Sequence, residues 1–298
     1  MKNSSTSLHT VESSGGLWAE TWSRLKRDRA AMFGLVIIGI LIFVGVFAPL
    51  LAPDDPFRVE LKERLLSPSL GHLLGTDHFG RDILSRILYG ARISLEVGII
   101  ASTISLLLGM LFGTIAGYYG GWIDNLIMRF TDIMFGFPAL LFLIGIMAAF
   151  EPNLTTVFFA IGFVSWPRMA RIMRGQVLSV KENDYVLANV ALGQHDTPLI
   201  IRHIIPNCLA PVIVAFTMGI ASAIMAEASL SFLGLGAQPP TPSWGSMINF
   251  GKDHLRSAPW LTLFPGIAIG LTVLGFNLFG DGLRDALDPT MEVPTRAD

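Results

Sequence analysis

The residue types that most often carry out catalysis occur in this 298-residue chain without the spacing that catalysis needs. The only Gly-Lys pair, Gly251-Lys252, is followed by Asp253 where a phosphate-binding loop needs Ser or Thr. The six histidines lack the His-Glu-x-x-His spacing of zinc enzymes, and no Gly-x-Ser-x-Gly elbow is present. The chain has a single cysteine. We therefore expect a chain that is not an enzyme and that binds no metal ion and no cofactor.

Ionisable residues are rare within the hydrophobic stretches, so each is a candidate for a solute path. Glu227 lies 18 residues beyond Leu209, which is ~27 Å along a helix at ~1.5 Å per residue. We expect Glu227 near the outer surface, where it lines a vestibule and attracts an ammonium group or a cation. Glu96 and Ser231 are further candidates for this path. A structural hydrogen bond near the interface is the competing interpretation for Glu227.

The composition indicates that membrane-spanning helices must position these candidates. Hydrophobic residues make up 52% of the chain, charged residues 15%, and the mean hydropathy is +0.57. Soluble domains carry about 25% charged residues. The formal net charge of -2 argues against nucleic-acid binding, which needs a basic face to neutralise phosphates. We expect an all-α membrane protein.

The hydrophobic pattern divides the chain into spans, loops and tails, because a spanning helix needs about 20 mainly apolar residues. We interpret the first hydrophobic segment as an uncleaved span rather than a signal peptide, whose apolar core is only about 7 to 15 residues. Six spans are expected, at roughly 33–52, 94–116, 133–150, 154–173, 209–232 and 261–279. The expected regions are a cytoplasmic tail with an interfacial helix at 1–32, a first span at 33–52, an extracytoplasmic loop at 53–92, a membrane domain at 93–285 and a cytoplasmic tail at 286–298.

The distribution of Lys and Arg predicts that both termini are cytoplasmic. Cytoplasmic segments of membrane proteins carry an excess of these residues. With the N-terminus inside, 13 of the 21 Lys and Arg residues fall on the cytoplasmic side and 8 on the outer side. Arg168, Arg171 and Arg174 decide the orientation, because such a cluster would be unusual on the outer face.

Glycine spacing predicts close contact between helices. Gly109, Gly113 and Gly117 recur every four residues, and Gly266 and Gly270 repeat the spacing. Small residues at this interval let two backbones approach along one stripe. Packing inside the subunit and contact with a second subunit both fit this pattern.

The stretch 183–207 predicts two short helices joined at Gly193. The first is apolar around almost its whole circumference, yet it is too short to span a bilayer. We therefore expect it on the cytoplasmic side, packed against its own bundle on one side and a partner on the other. The expected landmarks are a cap at Asn183 or Asp184, a second helix that starts at Thr197 with Pro198 in its first position, and a helix stop at Pro206.

This stretch resembles the coupling loop of ABC-importer permeases. That loop begins with Glu-Ala-Ala, has a Gly three residues later and ends in hydrophobic-x-hydrophobic-Pro; here Ala188, Gly193, Ile205 and Pro206 match. Other motifs are similar to the dipeptide, oligopeptide, nickel and glutathione branch, the DppC/OppC type, and the resemblance runs from about residue 22 to residue 289. The motifs are 230–236 (LSFLGLG), 238–242 (QPPTP), Trp244-Gly245 and 280–285 (GDGLRD).

The resemblance implies a type I ABC importer permease fold with cytoplasmic coupling helices, and it identifies 93–285 as the permease domain. It implies a location in the cytoplasmic (inner) membrane and three kinds of partner besides membrane lipid: a second homologous permease subunit, two ABC ATPase subunits that hold ATP and Mg, and an extracytoplasmic solute-binding protein. It assigns coupling to the ATPase to Asp184, Tyr185, Ala188, Asn189, Gly193, Thr197 and Pro206.

The expected function is translocation of dipeptides or oligopeptides, energised by the separate ATPase subunits. Nickel chelates and glutathione are alternatives within the same family. A more remote alternative is an ATP-independent secondary transporter, which needs coupling groups near the bilayer midplane. An intramembrane enzyme would need paired acids or metal ligands at matching depth in two spans.

Overall fold

The structure is a computed structural model that describes residues 17–288. Residues 1–16 and 289–298, which belong to the two expected tails, lie outside the described part. Within 17–288 the regular structure is helical apart from one isolated β-bridge between Thr76 and Asp82. The expected all-α class is confirmed. The helices are α1 Leu17–Leu25, α2 Arg29–Leu51, α3 Ile83–Tyr119, α4 Gly121–Phe135, α5 Ala139–Ala149, α6 Leu154–Lys181, α7 Asp184–Ala191, α8 Asp196–Leu199, α9 Ile205–Phe232, α10 Trp244–Gly251 and α11 Trp260–Leu287.

Over the described residues, four helices are long and apolar enough to cross a membrane: α2, α3, the continuous helix Asp196–Phe232, and α11. The bent pair α4 and α5 adds a fifth if it counts as one span. The expected number of six is therefore not reproduced as such. The predicted span at 154–173 is present as the 28-residue α6, but Arg168 and Arg171 lower its apolar content.

The predicted straight span at 133–150 is wrong in form. The axes of α4 and α5 meet at 89°, with the break at residues 136–138. Pro138 is the cause, because proline disfavours helical backbone at the residue before it and has no N–H to donate. At ~1.5 Å per residue the 11 residues of α5 extend about 16 Å, short of the ~30 Å hydrocarbon core.

Helix α3 runs unbroken through the end of the predicted outer loop. The sequence predicts a separate amphipathic helix at 81–89 and a span from residue 94, but one 37-residue helix covers both. Asp82 starts it by accepting a hydrogen bond from the Ser85 N–H at 2.8 Å. Arg86 lies inside the protein, where it donates to the Pro56 carbonyl at 3.0 Å. The hydrogen bond to Pro56 and the charge of Asp77, 3.7 Å from Arg86 Nε, offset part of the cost of burying the start of α3.

The predicted outer loop and α10 are held by buried polar contacts. Arg81 Nε donates to Asp77 Oδ2 at 2.7 Å, and both side chains are buried. Trp244, at the start of α10, is 1% exposed and donates from Nε1 to the Ile87 carbonyl at 3.0 Å. Its ring packs on Gly90, where a Cβ would lie 2.7 Å from the indole. These contacts fasten α10 and the outer loop onto α3.

The glycine stripe of α3 packs against α6. A Cβ added at Gly113 would lie 2.5 Å from the Ala170 carbonyl oxygen, and one at Gly117 would lie 2.8 Å from Val177 Cβ. The interpretation as packing inside the subunit is confirmed for this stripe. Around Gly266 and Gly270 no atom lies within 4 Å of a built Cβ, so these two glycines contact no other helix of the described chain.

We predict that Gly113→Ala destabilises the protein and that Gly39→Ala does not. The new methyl group at Gly113 overlaps the α6 backbone, and such overpacking costs about 1–3 kcal/mol. Gly39 lies in a helix interior with nothing within 4 Å, so the same substitution there stabilises by about 0.5–1 kcal/mol. Thermal unfolding of the purified variants measures both effects. Equal midpoints for the two variants would contradict the close packing of α3 on α6.

Candidate functional site

Helix α7 is fixed to its own bundle by one buried side chain. Val186 is 2% exposed and belongs to a cluster with Val180, Leu199 and Ile204. Asn183 precedes the helix in extended conformation, and its carbonyl accepts hydrogen bonds from the backbone N–H groups of residues 186 and 187. The side chain of Asn183 makes no capping hydrogen bond. Packing therefore positions α7 more than capping does.

The other face of α7 is apolar and exposed. Tyr185, Leu187 and Val190 are 41%, 54% and 53% exposed, and Leu192 just beyond the helix is 85% exposed. Monomeric proteins seldom leave contiguous apolar side chains uncovered unless a partner covers them. Val186 is thus packed on the bundle, as the sequence predicts, and much of the remaining surface of α7 is apolar and exposed. Cover by a partner stays a prediction.

The turn after α7 requires glycine. Gly193 has φ of +77°, a conformation that side chains with a Cβ rarely adopt. Its N–H donates to the Val190 carbonyl at 2.9 Å, and the next N–H, of Gln194, donates to the Asn189 carbonyl at 3.1 Å. These bonds satisfy the last carbonyls of α7 and turn the chain into α8. No atom lies within 4 Å of a Cβ built at Gly193, so the backbone angle rather than space selects glycine.

Two expectations for the second coupling helix need correction. It begins at Asp196 rather than Thr197, a one-residue difference at a helix end. Pro206 does not stop it, because a π-helical turn at Ile200–Ile204 joins α8 to α9 without interruption. In that turn the N–H of Ile205 donates to the carbonyl of Ile200, five residues earlier rather than four. This wider turn lets the helix continue through Pro206, which has no N–H to donate.

Polar contacts brace the coupling segment, residues 184–199, against the long helices. Tyr118 Oη donates to Asp196 Oδ1 at 2.6 Å, which links the end of α3 to α8. Lys181 Nζ donates to the Gly117 carbonyl at 2.9 Å, which links the end of α6 to α3. Arg174 makes a two-pronged contact with Asp124 on α4 at 2.5 and 2.6 Å. The segment is therefore hydrogen-bonded to α3, while its link to α6 is the buried cluster of Val186 with Val180. The Lys181 and Arg174 contacts hold α6 itself to α3 and α4.

Six of the predicted coupling residues lie between residues 184 and 197, and Pro206 lies at the start of α9. Asn189 is half-buried, and its Nδ2 donates to the Tyr185 carbonyl at 2.7 Å. The remaining six are exposed: Asp184, Tyr185, Ala188, Gly193, Thr197 and Pro206.

The predicted solute-path residues do not meet at one open site in this structure. Glu227 is 0% exposed, and its Oε1 accepts a hydrogen bond from Ser231 Oγ at 2.6 Å. Ser231 in turn accepts from the Ala237 N–H at 3.2 Å, so the pair ties the end of α9 to the following loop. Glu96 is half-exposed on α3 and pairs with Arg92 at 3.1 Å. Their assignment to a solute path stays a prediction.

Sequence reasoning missed a cleft of about 190 Å³ between α3, α6 and α9, closed on one side by the start of α5. Its walls are mostly apolar, but four serine side chains and one arginine line it. A second, wider cleft of about 470 Å³ adjoins it toward the ends of α9 and α11 and shares Arg168, Ile172 and Ala215. The polar residues that line the first cleft are Ser102, Ser105, Ser165, Ser222 and Arg168.

Two signals in the sequence indicate this cleft. Ser102 and Ser105 lie three residues apart, so they share a face of α3. Arg168 is an ionisable residue in an otherwise apolar stretch, but the charge argument above used it only to orient the chain. Which helix faces Ser102 could not be read from the sequence, because α3 is apolar around most of its surface.

Two models of known protein families match this chain. The model of the family described as binding-protein-dependent transport system inner membrane component matches residues 109–293. The chain belongs to that family. The N-terminal TM domain of oligopeptide transport permease C also matches, over residues 16–68. This permease is thus an ABC-importer membrane subunit with multiple apolar helices.

Curated relatives resemble this permease over nearly its whole length. The dipeptide transport system permease protein DppC of Alkalihalophilus pseudofirmus is 48% identical over 92% of this chain and 90% of its own length. The protein of the same name from Bacillus subtilis is 44% identical over 91% of this chain and 85% of its own. A glutathione transport system permease protein, GsiD of Escherichia coli, is 44% identical over 92% and 91%.

Solved structures share the fold of this permease. An inward-facing structure of the MetNI methionine ABC transporter aligns with a TM-score of 0.56 and 14% identity, covering 69% of this chain and 98% of that chain. An amino acid ABC transporter solved with histidines aligns with a TM-score of 0.53 and 16% identity, over 68% and 94%. The likeness at this identity concerns the fold alone.

We predict that Gly193→Val loosens the coupling segment of this permease and that Gly193→Asn does so less. Valine is strained at positive φ by about 1–3 kcal/mol, whereas asparagine tolerates this conformation. Hydrogen exchange of the amides in 184–199 should accelerate roughly tenfold in the valine variant, since ~1.4 kcal/mol is a tenfold change in an opening equilibrium. Equal protection in the two variants would show that the backbone angle at Gly193 does not hold the turn.

Proposed function

We propose that this chain is one of two permease subunits of an ABC importer for dipeptides or oligopeptides. The coupling role rests on the exposure of α7. Its Val186 packs on the helix bundle, while Tyr185, Leu187 and Val190 are exposed. An ATPase subunit with an apolar groove would cover that outer face. ATP and Mg then belong to the ATPase subunits, and this chain carries out no catalysis.

The coupling segment transmits movement because it is braced rather than hinged. Tyr118 joins it to the end of α3 through a bond of 2.6 Å to Asp196. Val186 shares a buried cluster with Val180 near the end of α6, and Lys181 bonds that end of α6 to α3 at 2.9 Å. When the ATPase subunits close on ATP, α7 is displaced and the α3–α6 pair tilts with it. Such rigid-body tilting alternates access between the two sides of the membrane.

The choice of solute rests on the relatives named above, which include two dipeptide permeases and a glutathione permease. Glutathione is the alternative solute, and nickel chelates are a further alternative that the family resemblance implies. A second homologous permease chain completes the membrane part, and an extracytoplasmic binding protein delivers the solute. With both termini in the cytoplasm, the coupling segment lies on the ATPase side and the loop 53–82 on the binding-protein side.

We predict that a cysteine at Ala188 crosslinks to an ATPase subunit. Ala188 is exposed on α7, and Cys208, the chain's single cysteine, is buried and can be replaced by alanine to give a clean background. A bifunctional maleimide should join Ala188→Cys to an ATPase subunit carrying an engineered cysteine. The matched control is Asp253→Cys, which is equally exposed but lies on the proposed outer side.

Crosslinking at Ala188 and none at Asp253 supports the coupling role and the orientation together. If Ala188→Cys never reached a nucleotide-hydrolysing subunit in an assembled complex, the importer mechanism would be wrong for this surface. Co-purification separates the competing class, because a secondary transporter would be isolated without ATPase subunits.

We predict that Glu227→Gln lowers uptake about tenfold if this carboxylate attracts the solute's ammonium group, since charged hydrogen bonds contribute about 1.5–3 kcal/mol. Glutamine keeps an oxygen that accepts from Ser231 Oγ, so the local structure is retained. Solute uptake by proteoliposomes and the thermal midpoint of the complex are measured together. Unchanged uptake at an unchanged midpoint would remove Glu227 from the path.

A further inference from the structure

Three arginines on α6 differ in whether an acid neutralises them. Arg174 contacts Asp124 through both prongs of its guanidinium, and Arg171 contacts Asp132 and lies over the Phe135 ring at 4.2 Å. Arg168 has no ion pair and no hydrogen bond to any described residue. Of this cluster, Arg168 alone keeps its donors available.

Arg168 lies near the inner end of the predicted span in α6. It is five residues before residue 173, where that span is expected to end, which is about 8 Å at ~1.5 Å per residue. An uncompensated guanidinium inside a span is costly unless it faces water, a partner or a ligand. Both clefts described above are lined by Arg168, so its surroundings are open rather than packed.

The first of the two clefts offers donors and no competing acid. None of the described residues that line it is Asp or Glu, whereas the second, wider cleft has Asp288 and Arg284 on its wall. Ser102 is 4% exposed, and its Oγ has no hydrogen-bond partner among the described residues. Buried hydroxyl groups are normally bonded, so a free one on a cleft wall indicates a site that a ligand completes. Ser222 lies on the facing wall, on α9.

We propose that this cleft is an anion-binding station in the solute path, in which Arg168 binds the carboxylate of the solute and Ser102 donates a further hydrogen bond. A guanidinium matches a carboxylate because its planar fork donates two parallel N–H···O bonds. The ligand class is a peptide with a free C-terminal carboxylate. This inference rests on the proposed function, because it assumes that the solute is a peptide.

The first test measures the charge preference of the cleft without any solute. Ser222→Cys is introduced with Cys208→Ala, and the assembled transporter is placed in phosphatidylcholine nanodiscs, which contain no anionic lipid. The rates of labelling by an anionic sulfonatoethyl and a cationic trimethylammonium-ethyl methanethiosulfonate are compared. Removing the charge with Arg168→Gln should lower the anion-to-cation ratio by roughly fivefold or more, because the two rates shift in opposite directions.

Arg129→Gln is the matched control, since Arg129 is also exposed without an ion pair but does not line the cleft. Its ratio should equal that of the parent. An unchanged ratio in Arg168→Gln would overturn the proposal. Repeating the measurement with phosphatidylglycerol added distinguishes a lipid headgroup: if that lipid alone abolishes the anion preference, a headgroup rather than the solute occupies the station.

The second test measures uptake of labelled dialanine by the complete transporter with its binding protein. Arg168→Gln should reduce the rate at saturating binding protein about tenfold, and Arg168→Lys should restore part of it, because lysine keeps the charge but loses the fork. ATP hydrolysis in the absence of solute should stay within twofold of the parent. Equal uptake by parent and Arg168→Gln would overturn the proposal, as would loss of assembly in both Arg168 variants.

The two tests separate the two hypotheses. If the parent transporter takes up no dialanine while Arg168→Gln still lowers the labelling ratio, the assigned peptide class fails and the anion preference of the cleft stands. If the parent imports dialanine and Arg168→Gln changes neither measurement, the proposed function stands and the anion station is wrong.

Discussion

Close backbone contact between α3 and α6 is the constraint on which the rest of the molecule depends. Gly113 and Gly117 leave no room for a methyl group against Ala170 and Val177, so the two helices lie together over several turns. In a membrane, where lipid is as apolar as leucine, such packing is a main source of helix association. The pair therefore behaves as one rigid body, and the proposed coupling and transport steps both use its rigidity.

The proposed function uses this body at two levels. At the end near Lys181 it carries α7 and α8 through the Tyr118–Asp196 hydrogen bond and the cluster of Val186 with Val180. Farther from that end it contributes Ser102 and Arg168 to the walls of one cleft. Burial of Val186 adds about 1.5–3 kcal/mol to the attachment of α7, the amount expected for a fully buried aliphatic side chain. A displacement of α7 thus reaches the cleft without an intervening flexible loop.

The sequence allowed the membrane class, the glycine contact and the turn at Gly193 to be predicted, because each depends on local composition or spacing. The predictions from sequence were wrong where the effect of a proline on a helix depends on the surrounding residues. Pro138 breaks a predicted span, whereas Pro206 is absorbed by a π-helical turn that no local pattern indicates. Glu227 is a similar case. Its position along α9 follows from counting residues, but its burial under the loop after α9 depends on tertiary packing.

The contrast among the α6 arginines favours the cleft over the buried acid as the proposed place of solute recognition. Arg171 and Arg174 have acidic partners on α4, so their charge contributes to holding these helices together. Glu227 is fully buried, and one of its oxygens accepts a hydrogen bond from Ser231. Arg168 has no ion pair with any described residue and lines two clefts, and it lies on the helix pair that α7 would move in the proposed mechanism. A group that binds a travelling solute must keep free donors in one state of the cycle and lose access to them in another. Among the α6 arginines of the described chain, Arg168 meets the first condition by its contacts and would meet the second through the proposed tilting of α6.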